Sequence, residues 1–233
     1  MAAGCLSAVA APGRPGAGGS PGLFTPGPVP GGRGYSGKMT RFLLDFSRVR
    51  AREIRLADLV TGLSVDDLAR ATETSIAQIE EILTESTDAD VVFVPEDPAA
   101  DDPAAADPAD RDLAWNLGHL VAHVTASAEE SAALAQELAR GVPFHGRSRW
   151  EVPWKTVTTI DQCRQRLAES RRIRLASLEM WPSTPPSDVD PDPATPTWQQ
   201  AKQRFARGLS HEDAHVDQIR NVVKQAQAAT GQL

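Results

Sequence analysis

Four of the five histidines in this sequence form two pairs with the same spacing. His119 and His123 lie four residues apart, and so do His211 and His215. In an α-helix this spacing places both rings of a pair on one face. Apolar residues share those faces, so the rings should point into the interior of the protein or into an opening of that interior. Two imidazoles from one helix and a third from a facing helix match the ligands of a divalent ion with an open coordination position.

Three polar residues could support such a site. Asn116 lies seven residues before His123, Arg204 lies seven before His211, and Gln218 lies seven after it. Seven residues are nearly two helical turns, so each shares a stripe with a histidine. Asn116 or Gln218 could orient a ligand imidazole, and Arg204 could bind a carboxylate of a substrate. Structural roles for all three stay open at this point.

Two alternative roles for the histidines are weaker. They could be core histidines satisfied by hydrogen bonds, but two pairs among five histidines favour a metal. The segment HEDAH, residues 211–215, also matches the HExxH motif of zinc proteases, with Glu212 as the general base. Only 18 residues follow His215, they contain neither Glu nor His, and no sheet is predicted to hold a peptide. We therefore interpret Glu212 as a solvated neighbour, rotated about 100° from His211.

Apolar residues at helical spacing predict four long amphipathic helices that position these side chains. They run from Thr40 to about Gly62, from about Asp112 to Arg140, from Thr159 to Trp181, and from Thr197 onward. Thr159 with Gln162, and Thr197 with Gln200, have the spacing of capping boxes. Strand signals are almost absent. The sequence therefore predicts an all-α fold, an up-and-down four-helix bundle with long crossover loops.

The segments between the long helices carry weaker signals. Ser64 with Asp67 predicts a capping box and a short helix, and a second short helix is expected to begin at Thr74 or the next residue. Residues 91–94 form the only strand-like run. Residues 88–112 are rich in Asp and Pro and are expected to form a long, solvated acidic loop.

Most aromatic and basic residues are predicted to have structural roles. The arginines between residues 164 and 174 should form a solvated face, because a nucleic-acid surface would interleave aromatic residues with them. Four tryptophans are expected to pack at the ends of the bundle: Trp150, Trp154, Trp181 and Trp198. The net charge of −7 also argues against a nucleic-acid partner.

The composition is that of a globular chain with one sizeable core. The chain has 233 residues, of which 41% are hydrophobic. Neither Cys5 nor Cys163 belongs to a CxxC pair, and a reducing cytoplasm is the expected location. No run approaches the ~18–20 apolar residues of a membrane span, so we expect no membrane partner.

Residues 1–38 differ from the rest of the chain. They contain 11 of the 17 glycines, six prolines and no acidic residue. We expect this tail to be disordered. Two possibilities are open: it is a targeting segment, or translation begins at Met39, which we favour because a helical pattern starts there. The globular domain is predicted to span residues 39–233.

Two segments of the chain resemble a known family. Residues 115–123, WNLGHLVAH, resemble the WSxxExLxH pattern of DinB-like (YfiT-like) proteins, and SHEDAHVDQIR, residues 210–220, resembles their closing HxxxHxxQI helix. The Trp- and Arg-rich connection before the third helix is also similar, and the resemblance covers about residues 39–225. His119 stands where that pattern often has Glu, and where the similar mycothiol-dependent maleylpyruvate isomerases often have His. The acidic loop departs from the pattern.

The resemblance implies a four-helix bundle with one divalent ion, commonly zinc or nickel, held by His123, His211 and His215. It also implies a metal-dependent thiol transferase or isomerase, as in the maleylpyruvate isomerases and bacillithiol transferases. Our leading hypothesis is an enzyme that transfers a low-molecular-weight thiol to a small electrophile, or hydrolyses it. The alternative is a non-catalytic, metal-binding stress-response bundle. The partner is expected to be a small-molecule substrate, and a homodimer is left open.

Overall fold

Helices form all the regular secondary structure of the described chain. The computed structural model describes residues 44–102, 107–184 and 197–231. The helices in these ranges are α1 Phe46–Arg50, α2 Leu56–Val60, α3 Val65–Ile82, α4 Asp88–Val92, α5 Leu117–Ala139, α6 Ile160–Glu179 and α7 Thr197–Thr230, with single 3₁₀ turns at Pro108–Asp110 and Trp154–Thr156. The predicted all-α class is confirmed for this part of the chain. The tail 1–38 lies outside it.

No helix among the described residues combines the length and the apolar character that crossing a membrane requires.

The first predicted helix is divided into two short ones. Residues 51–55 separate α1 from α2. Within them Arg52 has a φ of 60°, a left-handed conformation that does not continue an α-helix. The backbone N–H of Arg55 then donates to the Asp58 carboxylate at 3.1 Å, which starts α2. The single helix predicted over residues 40–62 is therefore wrong, and its first residues lie outside the described chain.

The first long helix is α3, and it begins at the predicted capping box. The backbone N–H of Asp67 donates to Ser64 Oγ at 3.1 Å, and the N–H of Ser64 donates to Asp67 Oδ2 at 2.8 Å. The helix continues without a break to Ile82. The separate helix predicted to begin at Thr74 or Ser75 is therefore wrong, because packing buries Thr74 within a continuous helix.

The strand-like run at residues 91–94 is not a strand. The backbone N–H of Thr87 donates to Asp90 Oδ2 at 2.7 Å, and this interaction starts α4. Val91 is buried in that helix, which packs against α5 and α7. The acidic stretch 88–112 is therefore only partly a loop, since it contains α4 and one 3₁₀ turn.

Side-chain caps also fix the starts of α5 and α6. Asn116 Oδ1 accepts a hydrogen bond from the backbone N–H of His119 at 2.8 Å, so α5 begins at Leu117, later than predicted. α6 begins after the predicted capping box, in which Thr159 Oγ1 accepts from the N–H of Gln162 at 3.2 Å.

Buried apolar residues form two clusters at opposite ends of the long helices. The first cluster includes Ile76, Ile79 and Leu83 of α3, Leu117, Leu120 and Val124 of α5, Leu167 of α6, and Ile219 and Val223 of α7. The second includes Leu68 of α3, Ala135 and Leu138 of α5, Leu178 of α6, and Phe205 and Leu209 of α7. Hence α5 and α6 run from the first cluster to the second, and α3 and α7 run the opposite way. Two consecutive long helices, α5 and α6, are therefore parallel, unlike the strict alternation predicted.

The connection between α5 and α6 makes this parallel arrangement possible by running back along α5. The backbone N–H of Arg149 donates to Glu130 at 3.0 Å, and Glu151 bonds to His123 further toward the start of α5. The carbonyl of Val157 then contacts Gly118, where any side chain would collide with it. We call residues 140–159 the return loop; it forms a wall along α5.

Helices α5 and α7 approach each other closely at Gly208. A Cβ atom here would lie 2.9 Å from Ser131 Cβ and 3.0 Å from Ala128 Cα, so a larger residue would push the helices apart. These two helices also carry the histidine pairs. The glycine therefore allows the spacing that brings the pairs together.

A buried ion pair lies between the two apolar clusters. Arg174 of α6 is 1% exposed and Glu212 of α7 is 0% exposed. Arg174 Nη1 donates to Glu212 Oε2 at 2.6 Å, and Ser75 Oγ of α3 donates to the same oxygen at 2.8 Å. The prediction that Glu212 is solvated is therefore wrong, as is a solvated role for Arg174. The pair connects three of the four long helices.

Removal of one partner should destabilise the protein strongly. In Glu212→Gln the Arg174 guanidinium stays buried without the carboxylate that it pairs with, and breaking a buried pair in this way costs about 3–5 kcal/mol. We expect a loss of this size in the free energy of unfolding, measured by urea denaturation.

The exposed Glu179 of α6 provides the matched control. Glu179→Gln should change stability by less than about 0.5 kcal/mol. The double variant Arg174→Met/Glu212→Leu removes both charges and should be more stable than Glu212→Gln alone. Equal stabilities for the Glu212 and Glu179 variants would contradict this account of the core.

Candidate metal centre

Three histidines from two helices converge on one point. One nitrogen of each of His123, His211 and His215 lies within 4.8 Å of the others. The Nε2 atoms of His123 and His211 are 3.2 Å apart. Tetrahedral zinc with Zn–N bonds of about 2.0–2.1 Å has ligand atoms about 3.3–3.4 Å apart. The three rings are therefore close enough to hold one metal ion.

Hydrogen bonds fix the orientation of two of these rings. His123 Nδ1 lies 2.7 Å from Glu151 Oε1, and His215 Nδ1 lies 2.8 Å from Gln218 Oε1. An ionised carboxylate and an amide oxygen only accept hydrogen bonds, so each Nδ1 carries the proton. The Nε2 lone pairs then face the point of convergence. Metal-binding histidines in proteins usually have such a partner on the other nitrogen.

His211 is the least satisfied of the three rings. Its Nδ1 is buried, and it has no hydrogen-bond partner within the described chain. Its Nε2 can donate a hydrogen bond to Nε2 of His123. In that tautomer, however, the lone pair of the His211 ring does not face the rings of His123 and His215. A cation among the three rings would accept a lone pair from each. The donor set of three imidazoles, which includes no carboxylate among the described residues, therefore fits a borderline-soft divalent ion such as zinc or nickel.

Burial keeps His211 and His215 in the neutral form that binds metal. Burial lowers the pKa of His211 to about 3, and the neighbouring His215 and His123 act on it in the same direction. Burial also lowers the pKa of His215. Both rings are therefore uncharged at neutral pH, and no proton has to leave them when an ion binds.

His119 does not join the three ligands. Its ring lies between those of Trp115 and Trp154, at centroid distances of 4.4 and 4.6 Å, and is nearly parallel to Trp154. Burial lowers the pKa of His119 to about 4. Trp115 also packs against His123 at 4.6 Å and His215 at 5.8 Å. The stack thus holds two of the ligand rings from one side.

The three polar residues proposed from the sequence have different positions. Gln218 is bonded to His215, beside the ligands. The Asn116 side chain instead caps α5, so it does not orient an imidazole. The Arg204 guanidinium lies 4.9 Å from the Phe144 ring, and the structure does not bring it into contact with the three histidines.

The Glu212 carboxylate does not face the histidines. Its Oε2 atom is bonded to Arg174 and Ser75, in the core between α3, α6 and α7. The neighbouring His211 is rotated by about 100° around α7 and faces His123 of α5. Glu212 is therefore not placed to act as the general base of a HExxH protease.

Two cavities reach the histidines from different sides. A cavity of about 440 Å³ is lined by His123 and His211, together with His119 and the return loop. A smaller cavity of about 200 Å³ is lined by His215, Gln218 and Trp115. The larger one is of a size that accepts a small molecule.

The return loop supplies site residues that the sequence patterns did not identify. Glu151 contacts His123, and Trp154 stacks on His119. Trp150 is 69% exposed and lines the larger cavity, so its predicted place in the core is wrong. Trp154 is only partly buried, whereas Trp181 is buried in the second apolar cluster and Trp198 packs against it.

The chain was compared with protein-family models, with curated proteins and with solved structures, and none of the three comparisons found a match.

The purified, untagged protein should bind one equivalent of zinc or nickel. Loss of a ligand lowers both occupancy and affinity, so His123→Ala, His211→Ala and His215→Ala should each abolish stoichiometric binding. Metal analysis after dialysis measures this directly. His145→Ala is the matched control, because His145 is exposed and pairs with Glu137.

Glu151→Gln adds a graded test of the same site. It should keep one equivalent of metal but weaken the affinity by about 10–100-fold, since the partner of a ligand imidazole tunes its basicity. Stoichiometric binding that survives every one of the three ligand substitutions would contradict the assignment.

The metal-free protein should lose stability as the pH falls below about 6.5. The folded protein binds a proton at His119 less tightly than the unfolded chain does, because the pKa falls from 6.5 to about 4 on folding. The contribution of neutral, buried His119 to the free energy of unfolding is therefore fully present above pH 6.5, and it is lost as the pH falls toward 4. Urea denaturation in the presence of a chelator, at pH 7.5 and pH 5, measures the loss.

His119→Phe keeps an aromatic ring between the two tryptophans but does not titrate. Its loss of stability between pH 7.5 and pH 5 should be smaller than that of the parent. Arg172→Gln, a change at an exposed residue of α6, provides the control and should lose as much stability as the parent. Identical pH dependences for the parent and His119→Phe would show that His119 is not held in the neutral form.

Proposed function

We propose that this protein is a DinB-like, metal-binding four-helix bundle in which His123, His211 and His215 hold a zinc or nickel ion. We further propose that it is an enzyme that transfers a low-molecular-weight thiol to a small electrophile, or hydrolyses the electrophile. The observation that carries this proposal is the convergence of three imidazoles beside a cavity of about 440 Å³.

The bundle in this proposal consists of α3, α5, α6 and α7. Each contributes buried residues to both apolar clusters. Its order differs from simple up-and-down alternation, because α5 and α6 are parallel and the return loop connects them. This long crossover brings Glu151 to His123.

A bound divalent ion lowers the pKa of a thiol or water at its open position and so supplies a nucleophile at neutral pH. The chain itself provides the geometry. Glu151 and Gln218 orient two ligand rings, and Trp115 packs against both of these rings. The return loop separates the cavity from bulk water on one side. The electrophile would bind in this cavity, which Trp150 and Trp154 line with apolar surface.

A reaction screen tests the enzyme proposal. The zinc- or nickel-loaded protein is incubated with low-molecular-weight thiols and a chromogenic aryl halide, and both thiol transfer and hydrolysis are followed. His123→Ala should lower the rate by at least about 100-fold, since metal chemistry contributes several kcal/mol to such steps. His145→Ala should leave the rate unchanged.

The same variants distinguish the enzyme from the non-catalytic alternative. We expect His123→Ala to remain folded, as judged by circular dichroism and urea denaturation, while turnover is lost. If His123→Ala loses folding to the same extent as turnover, the histidines have a structural role. If metal-loaded and metal-free protein give equal rates with every thiol and with water, the enzyme proposal is wrong.

A further inference from the structure

Glu130 holds the return loop in an unusual conformation beside the metal centre. Its Oε1 atom accepts from Ser148 Oγ at 2.9 Å and from the backbone N–H of Arg149 at 3.0 Å, as well as from the N–H of Ser148. Its Oε2 atom accepts from Arg147 Nε at 2.5 Å. Burial alone would raise the pKa of Glu130, but these hydrogen bonds lower it to about 2. The carboxylate is therefore a permanent anchor for residues 147–149.

Arg149 is strained by this anchor. Its φ is 55°, in the left-handed region that residues other than glycine rarely occupy. Such strain persists only where surrounding contacts impose it, and it is common at binding sites. Here the contact that imposes it is the bond from the Arg149 backbone to Glu130. The conformation places the Arg149 side chain at the wall of the larger cavity.

The Arg149 guanidinium is free to bind a ligand. No side-chain hydrogen bond or ion pair of Arg149 is present within the described chain, whereas Arg147 is paired with Glu130. Several carboxylates that line the cavity have side-chain partners of their own: Glu130 pairs with Arg147, Asp110 pairs with Lys155 at 3.2 Å, and Glu151 bonds to His123. An anionic group therefore has a preferred place at Arg149.

The separation of His123 and Glu130 along α5 relates the histidines to the part of the loop that carries Arg149. Glu130 follows His123 by seven residues, which corresponds to a rise of about 10 Å along the helix. Arg149 is anchored at Glu130, and His123 and His211 line the same cavity. A ligand in this cavity can therefore contact the histidines and approach the guanidinium.

We propose that Arg149 binds the carboxylate of the small-molecule thiol or electrophile used by this site, and so selects substrates that carry a carboxylate. This inference rests on the proposed function, because it assigns a substrate class to the same cavity. A guanidinium binds a carboxylate through two parallel N–H···O bonds, a geometry that a lysine cannot reproduce.

The test compares two thiols that differ only in this group, 3-mercaptopropionate and 3-mercaptopropionamide. Isothermal titration calorimetry measures both dissociation constants with zinc-loaded and with metal-free protein. The carboxylate should bind about tenfold more tightly than the amide in both forms, the size expected for one charge-assisted contact. Arg149→Gln should reduce this preference to within about twofold, and Arg149→Lys should retain only part of it.

Two further variants exclude indirect effects. Arg172→Gln removes a charge from an exposed arginine of α6, away from this cavity, and should keep the full preference. Arg149→Gly removes the strain together with the side chain. It should be at least as resistant to urea as the parent while losing the preference, so the loss cannot be attributed to misfolding.

The outcomes separate this inference from the proposed function. Equal binding of acid and amide by the parent would overturn the role of Arg149, even if the reaction screen shows turnover. An unchanged preference in Arg149→Gln would overturn it as well. A preference that disappears in Arg149→Gln supports it, even if the screen shows no turnover and the thiol-transfer proposal fails.

Discussion

The buried ion pair between Arg174 and Glu212 fixes how α7 is rotated in the protein. A charged pair in a dry core is stable only when its geometry is kept, since either charge alone is costly to bury. Ser75 bonds the same carboxylate, so α3, α6 and α7 are held at one level between two apolar clusters. Because Glu212 points into this core, the adjacent His211 must face α5. The position of the candidate ligand His211 thus follows from an interaction on a neighbouring face of the same helix.

The return loop completes the surroundings of a site whose three histidines come from only two helices. α5 and α7 provide the three ligand rings, and the polar partner of His123 comes from Glu151 in the loop. The loop must retrace α5 because α5 and α6 are parallel. Glu130 holds it there through several hydrogen bonds at one carboxylate. The irregular segment is therefore an ordered part of the centre, in which bonds to side chains replace secondary structure.

The sequence predicted those features that helical periodicity and capping chemistry determine. The histidine spacing on α5 and α7 and the caps at Ser64 and Thr159 are of this kind. Glu151 and Arg149 could not be found in this way, because no periodic pattern relates an irregular loop to the helix beside it. For Glu212 the sequence does carry a signal of burial: it lies three residues after Leu209 and four before Val216, within the apolar stripe. The divided first helix depends on a backbone conformation at Arg52 that its side chain does not reveal.

X-ray absorption spectroscopy at the zinc edge tests the three-histidine centre most directly. It measures the number and type of atoms around the ion without reference to activity. The structure predicts about three imidazole nitrogens at about 2.0–2.1 Å and one oxygen or sulfur ligand at an open position. The outer-ring scattering of imidazole should be unchanged in His145→Ala, which keeps all three rings of the site. A zinc ion surrounded by oxygen atoms alone, without imidazole scattering, would contradict the account of this site.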